Sequence, residues 1–220
     1  MKQLNKLAFI GFASVLSLTA NTSALACQAQ SWNLSRDMMT GISTNPKGVW
    51  SFMQGAAIHD SSSYHLLPTY SSPCNEGNWV TDGLSCWADI DVVHFLPRVS
   101  VATKGGVTKY GVRLVKGMPS LHPASDRAAI VRWTSPIDGH IAVSGQVSDL
   151  DKKCGDGITW FIDRGNSPII NGSVRNSGEA FSTNFNVVKG DTVNFIVDRG
   201  LAQDYECDST GLDLLITSQQ

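Results

Sequence analysis

The sequence predicts an all-β protein, an antiparallel β-sandwich of jelly-roll type. Three observations lead to this fold class. Apolar and polar residues alternate with a period of two along several short segments, as in strands with one buried face. Glycine, proline and asparagine separate these segments at spacings of roughly 10 to 15 residues. Helical periodicity is almost absent, apart from a short turn predicted at residues 35–39.

Residues 1–26 are predicted to be a secretory signal peptide. Lys2 and Lys6 supply the positive start, residues 7–20 form an apolar run, and Ala24-Leu25-Ala26 is a small-x-small cleavage site. The run of about 14 residues is too short to span a bilayer comfortably. We therefore expect a secreted or periplasmic protein without an integral membrane segment. The remaining residues, 27–220, are predicted to form one domain with an irregular, loop-rich section near residues 59–106.

The cysteines divide into one at the predicted cleavage site and four inside the domain. Cys27 would begin the mature chain, so lipid anchoring through this residue is the alternative to a free exported protein. An oxidising compartment makes disulfides the default state of the other four cysteines. We expect the bridges Cys74–Cys86 and Cys154–Cys207, which contribute roughly 3 and 4 kcal/mol on the chain-entropy model. The sequence leaves open whether Cys27 is lipidated, free or paired.

Each predicted strand is an alternating or β-branched run between turn signals. A turn at residues 44–48 precedes the run 49–53, and a rigid connector with two prolines at 117–123 precedes the most regular part of the chain. Strands are predicted at residues 107–115, 129–134, 141–147, 158–162, 181–188, 193–197 and 212–216. The inward faces of the regular part give the expected core, Val131, Trp133, Ile141, Val143, Ile158 and Trp160.

Charge and motif content exclude several classes of protein. The formal net charge is −2 and becomes −4 once Lys2 and Lys6 are removed, so the chain has no basic footprint for nucleic acid. No Gly-x-Ser-x-Gly motif is present, and we assign no catalytic residue. The histidines have no recognisable zinc spacing; they are His59, His65, His94, His122 and His140.

Two acidic loops surround the predicted second disulfide. Asp149, Asp151 and Asp156 lie around Cys154, and Asp204, Glu206 and Asp208 flank Cys207. A bridge between these cysteines would bring the loops together, and converging carboxylates are what Ca²⁺ requires. We therefore treat Asp149, Asp151, Asp156 and Asp208 as candidate Ca²⁺ ligands. The alternative is that these aspartates cap turns on a solvated loop.

Aromatic residues in loops are the candidate ligand-binding groups. Sugar rings stack on exposed aromatic side chains, whose polar neighbours bond the hydroxyl groups. Trp79 and Trp87 lie in and next to the segment that Cys74–Cys86 would close, and Tyr70 and Tyr205 lie in other loops. These four side chains are predicted to bind ligand, with packing beside the sandwich as the alternative for each.

Most of residues 45–210 resembles a β-sandwich module of exported bacterial proteins. The matching residues keep the order of the module: Asn45, Pro46, Gly48, Trp50 and Ser51; His122 and Pro123; Arg132, Trp133, Thr134, Pro136 and Gly139; Gly190, Asp191, Val193 and Phe195; Asp208, Ser209 and Thr210. The resemblance implies the jelly roll of carbohydrate-binding modules and of domains that accompany C-terminal sorting signals. Residues 214–220 lack the hydrophobic tail and basic cluster of such a signal.

The function expected from these observations is non-catalytic binding of a polysaccharide or a cell-surface glycan. Two alternatives remain open. One is a secreted glycan-processing hydrolase or lyase whose site is built from loops, and the other is a structural component of an extracellular matrix. The fold alone does not separate them, because one fold supports many functions.

Overall fold

A computed structural model describes residues 29–77, 80–90, 95–109 and 112–219, with the backbone only for residues 107–109. The predicted signal peptide, Cys27, Trp79 and His94 lie outside the described residues. The described chain confirms the predicted fold class, since nearly all its regular structure is antiparallel β-sheet arranged as a sandwich. No helix among the described residues is long and apolar enough to cross a membrane.

The described elements are many short strands, one helix and one 3₁₀ turn. The first part of the chain contains β1 (Ser31–Asn33), α1 (Leu34–Met39), β2 (Trp50–Gly55), the 3₁₀ turn (Ser61–Ser63), β3 (Tyr64–Leu66), β4 (Thr69–Ser71), β5 (Cys74–Asn75), β6 (Val80–Thr81), β7 (Leu84–Ala88) and β8 (Arg98–Ala102). The second part contains β9 (Val107–Lys109), β10 (Val112–Leu114), β11 (Pro119–His122), β12 (Ala128–Thr134), β13 (Gly139–Asp149), β14 (Ile158–Arg164), β15 (Ser167–Val174), β16 (Gly178–Val187), β17 (Thr192–Asp198) and β18 (Thr210–Gln219).

Two large sheets form the sandwich. The eight-stranded sheet has the order β16-β13-β18-β11-β8-β7-β4, and β1 pairs with β18 beyond the end of β11. The six-stranded sheet has the order β15-β14-β17-β12-β2-β3. Two small hairpins, β5–β6 and β9–β10, lie outside these sheets. Crossing between the sheets along the chain is what a jelly roll requires.

The main core lies between the two sheets. All six residues expected there are buried, including Trp133 and Trp160, which are joined by Trp50 from β2. The alternation explains this, because residues two apart on a strand share a face. The register of the strands agrees with this assignment of the buried face, because Trp133 pairs with Trp50 on one side and with Val193 on the other.

Apolar residues also cover part of each outer face. On the six-stranded sheet, Ile130 and Ile196 pack with Tyr64 under the loop that follows β2. On the eight-stranded sheet a second cluster joins β7 and β8 to the two hairpins; it contains Cys74, Leu84, Cys86, Ala102, Val112 and Leu114. The section near residues 59–106 is therefore built from short strands, of which β3, β4, β7 and β8 belong to the two large sheets and β5–β6 forms a separate hairpin.

The structure contains both predicted disulfides. Cys74 and Cys86 are bonded with their Cα atoms 5.3 Å apart, and Cys154 and Cys207 with theirs 5.7 Å apart. These distances lie in the normal range for disulfides. Two disulfides fit an oxidising compartment, such as the extracellular space or a periplasm.

Helix α1 closes one end of the sandwich. The side chain of Asn33 accepts a hydrogen bond from the backbone N–H of Arg36 at 2.8 Å, which caps the helix. Leu34 and Met38 point into the main core. The Asp37 carboxylate accepts a hydrogen bond from the indole N–H of Trp50 at 3.0 Å. The helical turn predicted at residues 35–39 is thus part of a capped and buried element.

Candidate functional site

A cavity of about 530 Å³ opens on the outer face of the eight-stranded sheet. Val99 and Val101 of β8 point into the core, so Ser100 between them points to the outer face. Its hydroxyl lies 2.7 Å from that of Ser120 on the neighbouring strand β11. The side chains that line the cavity are Glu76, Thr81, Leu84, Leu96, Arg98, Ser100, Val112, Leu114, Ser120, Leu121, His122, Asp151, Cys154, Tyr205, Glu206, Cys207 and Ser209.

Four parts of the chain build the walls. The β5–β6 hairpin is fastened to β7 by the disulfide Cys74–Cys86, and β10 packs on the same apolar cluster. The opposite wall comes from the β13–β14 loop and the β17–β18 loop, which Cys154–Cys207 joins. Each wall therefore contains a covalent cross-link, which fixes the loops that face the cavity.

A buried ion pair lies in this cavity. Arg98 Nη1 is 2.5 Å from Glu76 Oε1, and the two side chains are 14% and 1% exposed. The hydroxyl of Thr81 donates to Glu76 Oε2 at 2.7 Å. Sequence reasoning missed this pair, since the two residues lie in different elements with no shared periodicity. The one sequence signal is the position of Glu76, two residues after a cysteine that is fixed to the sheet.

The cavity has more acidic than basic groups. Asp151 is buried, and burial raises the pKa of its carboxyl, with Asp149 adding to the effect. Glu206 also lines the cavity, which gives three carboxylates against the guanidinium of Arg98 and the ring of His122. Nδ1 of His122 lies 2.8 Å from the carbonyl oxygen of Pro123. These carboxylates would repel a polyanionic ligand.

The four predicted ligand-binding aromatics lie in different places. Tyr205 is half-buried and lines the cavity. Trp87 is buried in the main core, where its indole N–H donates to the carbonyl oxygen of Ile42 and Tyr70 packs against its ring at 5.5 Å. Trp79 lies outside the described residues. Of the three described side chains, Tyr205 alone contacts the cavity.

The acidic loops meet around Asp208, which is fully buried. Neither carboxylate oxygen of Asp208 has a hydrogen-bond partner among the described residues. Burial, and after it the neighbouring carboxylates in the order Asp156, Asp204, Asp149 and Asp198, together raise the pKa of Asp208 to about 8. The structure thus brings together three of the four residues predicted as metal ligands.

The fourth predicted ligand, Asp151, lies on the cavity side of the disulfide. Its carboxylate is close to both sulfur atoms of Cys154–Cys207, but a disulfide has no thiolate to bind a metal. Asp149 has both oxygens engaged, accepting from the backbone N–H groups of Asp151 at 3.0 Å and Asn176 at 2.7 Å. Asp198, at the end of β17, is a member of the acidic cluster that sequence reasoning missed.

A second buried polar group lies on the outer face of the six-stranded sheet. His59 Nδ1 is 2.9 Å from Oδ2 of the buried Asp163, and burial raises the pKa of Asp163 while His59 lowers it. The ring of His59 packs edge-on against Phe161 at 4.9 Å. This pair attaches the loop after β2 to the sheet.

Comparisons with known proteins give solved structures only. No protein-family model and no curated protein matches this chain. A family 51 carbohydrate-binding module from a GH95 protein of Clostridium perfringens, solved in complex with methyl-galactose, is 10% identical with a TM-score of 0.38. That match covers 70% of this chain and 95% of the module. A family 35 module from Paenibacillus barcinonensis is 10% identical with a TM-score of 0.33, over 70% of this chain and 100% of the module.

A third structure is a multidomain protein. The M60 catalytic domain of Clostridium perfringens ZmpB with its two family 51 modules is 12% identical with a TM-score of 0.38, covering 80% of this chain and 19% of that one. These neighbours contain carbohydrate-binding modules. Their scores are too low to place this chain in any of these families.

Proposed function

We propose that the protein is an exported, non-catalytic glycan-binding protein whose ligand occupies the cavity on the eight-stranded sheet. The observation that carries this proposal is the ring of Tyr205 at a cavity that also presents the hydroxyls of Ser100, Ser120 and Ser209. A volume of about 530 Å³ falls within the range of small-molecule sites.

The chemistry of the lining fits a sugar. One face of a pyranose ring is a set of C–H groups, which pack on an aromatic ring or on leucine and valine side chains. The hydroxyl groups need donors and acceptors at fixed positions, which the serines, His122 and the Glu76–Arg98 pair provide. Because this ion pair is already formed and buried, it is preorganised and costs little ordering on binding.

The charge of the lining favours a neutral glycan over an acidic one. Glu76 neutralises Arg98, which leaves Asp151 and Glu206 as the acidic groups of the lining outside this ion pair. A uronic acid or sulfated sugar would place its anion near these carboxylates. We therefore expect neutral polysaccharides, or oligosaccharides with an amino group, to be the ligands.

The predicted export supports the same function, because it would bring the protein to extracellular and cell-surface polysaccharides. The predicted signal peptide would direct residues 27–220 across the membrane, and the two disulfides fit an oxidising compartment. A free secreted or periplasmic form and a form anchored through Cys27 both present the cavity to glycans.

Affinity electrophoresis in a panel of neutral and acidic polysaccharides tests the proposal. We expect retention by at least one neutral polysaccharide, with no release of reducing ends or unsaturated products. Tyr205→Ala should weaken binding about tenfold, the loss expected for one stacked ring. The matched control is Leu201→Ala, since Leu201 belongs to the same loop, is 93% exposed and does not line the cavity.

Each other result overturns a stated part of the proposal. Product release would make the protein a glycan-processing enzyme. Retention by acidic polysaccharides alone would contradict the neutral ligand. Equal binding by the two loop variants would move the site away from the cavity, and no retention by any polysaccharide would favour a structural role.

A further inference from the structure

Asp208 lies where the β13–β14 and β17–β18 loops meet, and its charge has no partner. Both carboxylate oxygens are buried without a hydrogen bond among the described residues. An uncompensated buried carboxylate is strongly unfavourable, so such groups normally form ion pairs, bind a metal or become protonated. Asp208 therefore points to a partner that the described part of the chain does not supply.

Asp156, on the β13–β14 loop, has a further carboxylate oxygen without a partner among the described residues. Its Oδ1 is also buried without a hydrogen-bond partner among the described residues, while its Oδ2 accepts from the backbone N–H of Ala202 at 3.2 Å. Among the neighbouring carboxylates, Asp156 has the largest effect on the pKa of Asp208, ahead of Asp204, Asp149 and Asp198. Asp156 and Asp208 thus lie on two different loops, and each has a buried carboxylate oxygen without a hydrogen-bond partner among the described residues.

The backbone allows the loops to come close. Gly200 has φ +72°, and a Cβ added there would lie 2.7 Å from the carbonyl oxygen of Gly157 and 3.8 Å from Asp156 Oδ2. A larger residue would separate the loops. The carbonyl oxygen of Gly157 and the carboxylate of Asp156 therefore both lie close to Gly200 on the β17–β18 loop.

We propose that Asp208 and Asp156 are ligands of a bound Ca²⁺ ion, with Asp204 and Asp198 supplying further negative charge. Oxygen-only ligands from flexible loops are typical of Ca²⁺, whereas zinc prefers nitrogen and sulfur ligands and Mg²⁺ demands a stricter octahedron. A proton on Asp208 would remove one charge but would supply no cation for the carboxylate of Asp156. A divalent cation satisfies both residues at once.

This site is separate from the cavity, although both use the same two loops. Asp151, Cys154, Tyr205 and Cys207 line the cavity, whereas Asp156 and Asp208 do not. The proposal does not depend on glycan binding, and either one can fail alone.

Calorimetric titration of chelator-treated protein with CaCl2, together with melting curves, tests the site. We expect saturable binding of one Ca²⁺ and a melting temperature raised by about 5–10 °C at a hundredfold excess over Kd. An equal concentration of MgCl2 should raise it less. Asp208→Asn keeps the shape of the side chain, and it should abolish the calcium-dependent rise.

A further measurement separates a ligand from a residue needed only for folding. Without calcium, Asp208→Asn should be at least as stable as the unsubstituted protein, because its repulsion with neighbouring carboxylates is gone. Asp213→Asn is the control, since Asp213 is an exposed acid on β18 and should keep the full calcium response. If Asp208→Asn does not fold, Asp156→Asn serves the same comparison. A melting temperature that Ca²⁺ leaves unchanged, or an unaltered response in both cluster variants, would overturn the proposal.

Discussion

The disulfide between Cys154 and Cys207 links two loops whose cysteines are 53 residues apart in the sequence. Both cysteines line the cavity, and Asp156 and Asp208 follow them closely in the sequence of the same two loops without lining it. One covalent bond thus fixes a wall of the proposed glycan site and the approach of the carboxylates in the proposed calcium site.

Replacing Cys154 and Cys207 with alanine should lower the free energy of unfolding by about 4 kcal/mol, because the bridge closes a loop of about 54 residues in the unfolded chain. The two residues are not fully buried, so little packing is lost. Urea denaturation in EDTA measures the change without a contribution from bound metal.

The comparison for this disulfide is the pair Cys74 and Cys86. Both are fully buried in the second apolar cluster, so their alanine variant should lose packing in addition to the roughly 3 kcal/mol expected from loop closure. A loss well below 2 kcal/mol for the Cys154–Cys207 variant would contradict the entropic account.

Arg98→Met should destabilise the fold by about 3–5 kcal/mol, because it leaves the carboxylate of Glu76 buried without its ion-pair partner. Adding Glu76→Gln removes that charge and should restore part of the loss, since Thr81 can still donate to the amide oxygen. Urea denaturation of both single variants and the double variant gives the coupling between the residues.

The control for the ion pair is Lys104→Met. Lys104 Nζ lies 2.8 Å from Asp82 Oδ2, but the two side chains are 64% and 75% exposed. Solvent screens this surface pair, so the substitution should leave the stability unchanged within error. Additive effects of Arg98→Met and Glu76→Gln would show that the buried pair does not act as a unit.

Stability should fall as the pH rises from 9 to 11, because burial and the nearby charge of Asp163 raise the pKa of Tyr64 to about 12. The unfolded chain loses this proton near pH 10 and the folded chain near pH 12, so ionisation favours unfolding between these values. The expected loss from Tyr64 is about 1.4 kcal/mol between pH 9 and pH 11.

The Tyr64→Phe variant should lack the loss of stability that ionisation of Tyr64 causes between pH 9 and pH 11. The difference in unfolding free energy between the unsubstituted protein and Tyr64→Phe, measured with urea at both pH values, isolates Tyr64 from other alkaline titrations. In this variant, the curve of absorbance at 295 nm against pH should lack the step near pH 12. A difference that stays constant from pH 9 to pH 11 would contradict the raised pKa.

Residue alternation was sufficient to predict the fold class and much of the core. Trp133 and Trp160 occupy the interior positions that a period of two assigns to them. The expected disulfide pairing is also confirmed, although four cysteines allow three pairings and counting alone does not choose among them. The fold class and the core depend on local pattern, which a single sequence contains.

The candidate sites were only partly predictable, because long-range packing decides which side chains are buried. The sequence placed Asp151 and Asp208 in one acidic set, yet the fold puts Asp151 at the cavity and Asp208 among carboxylates in the interior. Trp87 looked like a loop residue beside a cysteine, but it follows that cysteine on a central part of β7 and faces the core. The ion pair of Glu76 and Arg98 had no local signature at all.

Strand β18 lies between β13 on one side and β11 and β1 on the other. As residues emerge in order from a ribosome or a translocation pore, the seventeen described strands β1 to β17 precede β18. Until β18 arrives, the edges of β1, β11 and β13 that face it stay unpaired. Folding therefore depends on contacts between distant parts of the chain, such as Ser31 with Thr217, and such contacts form slowly. A chain that stays unfolded until its C-terminal strand is free remains competent to be threaded through a membrane.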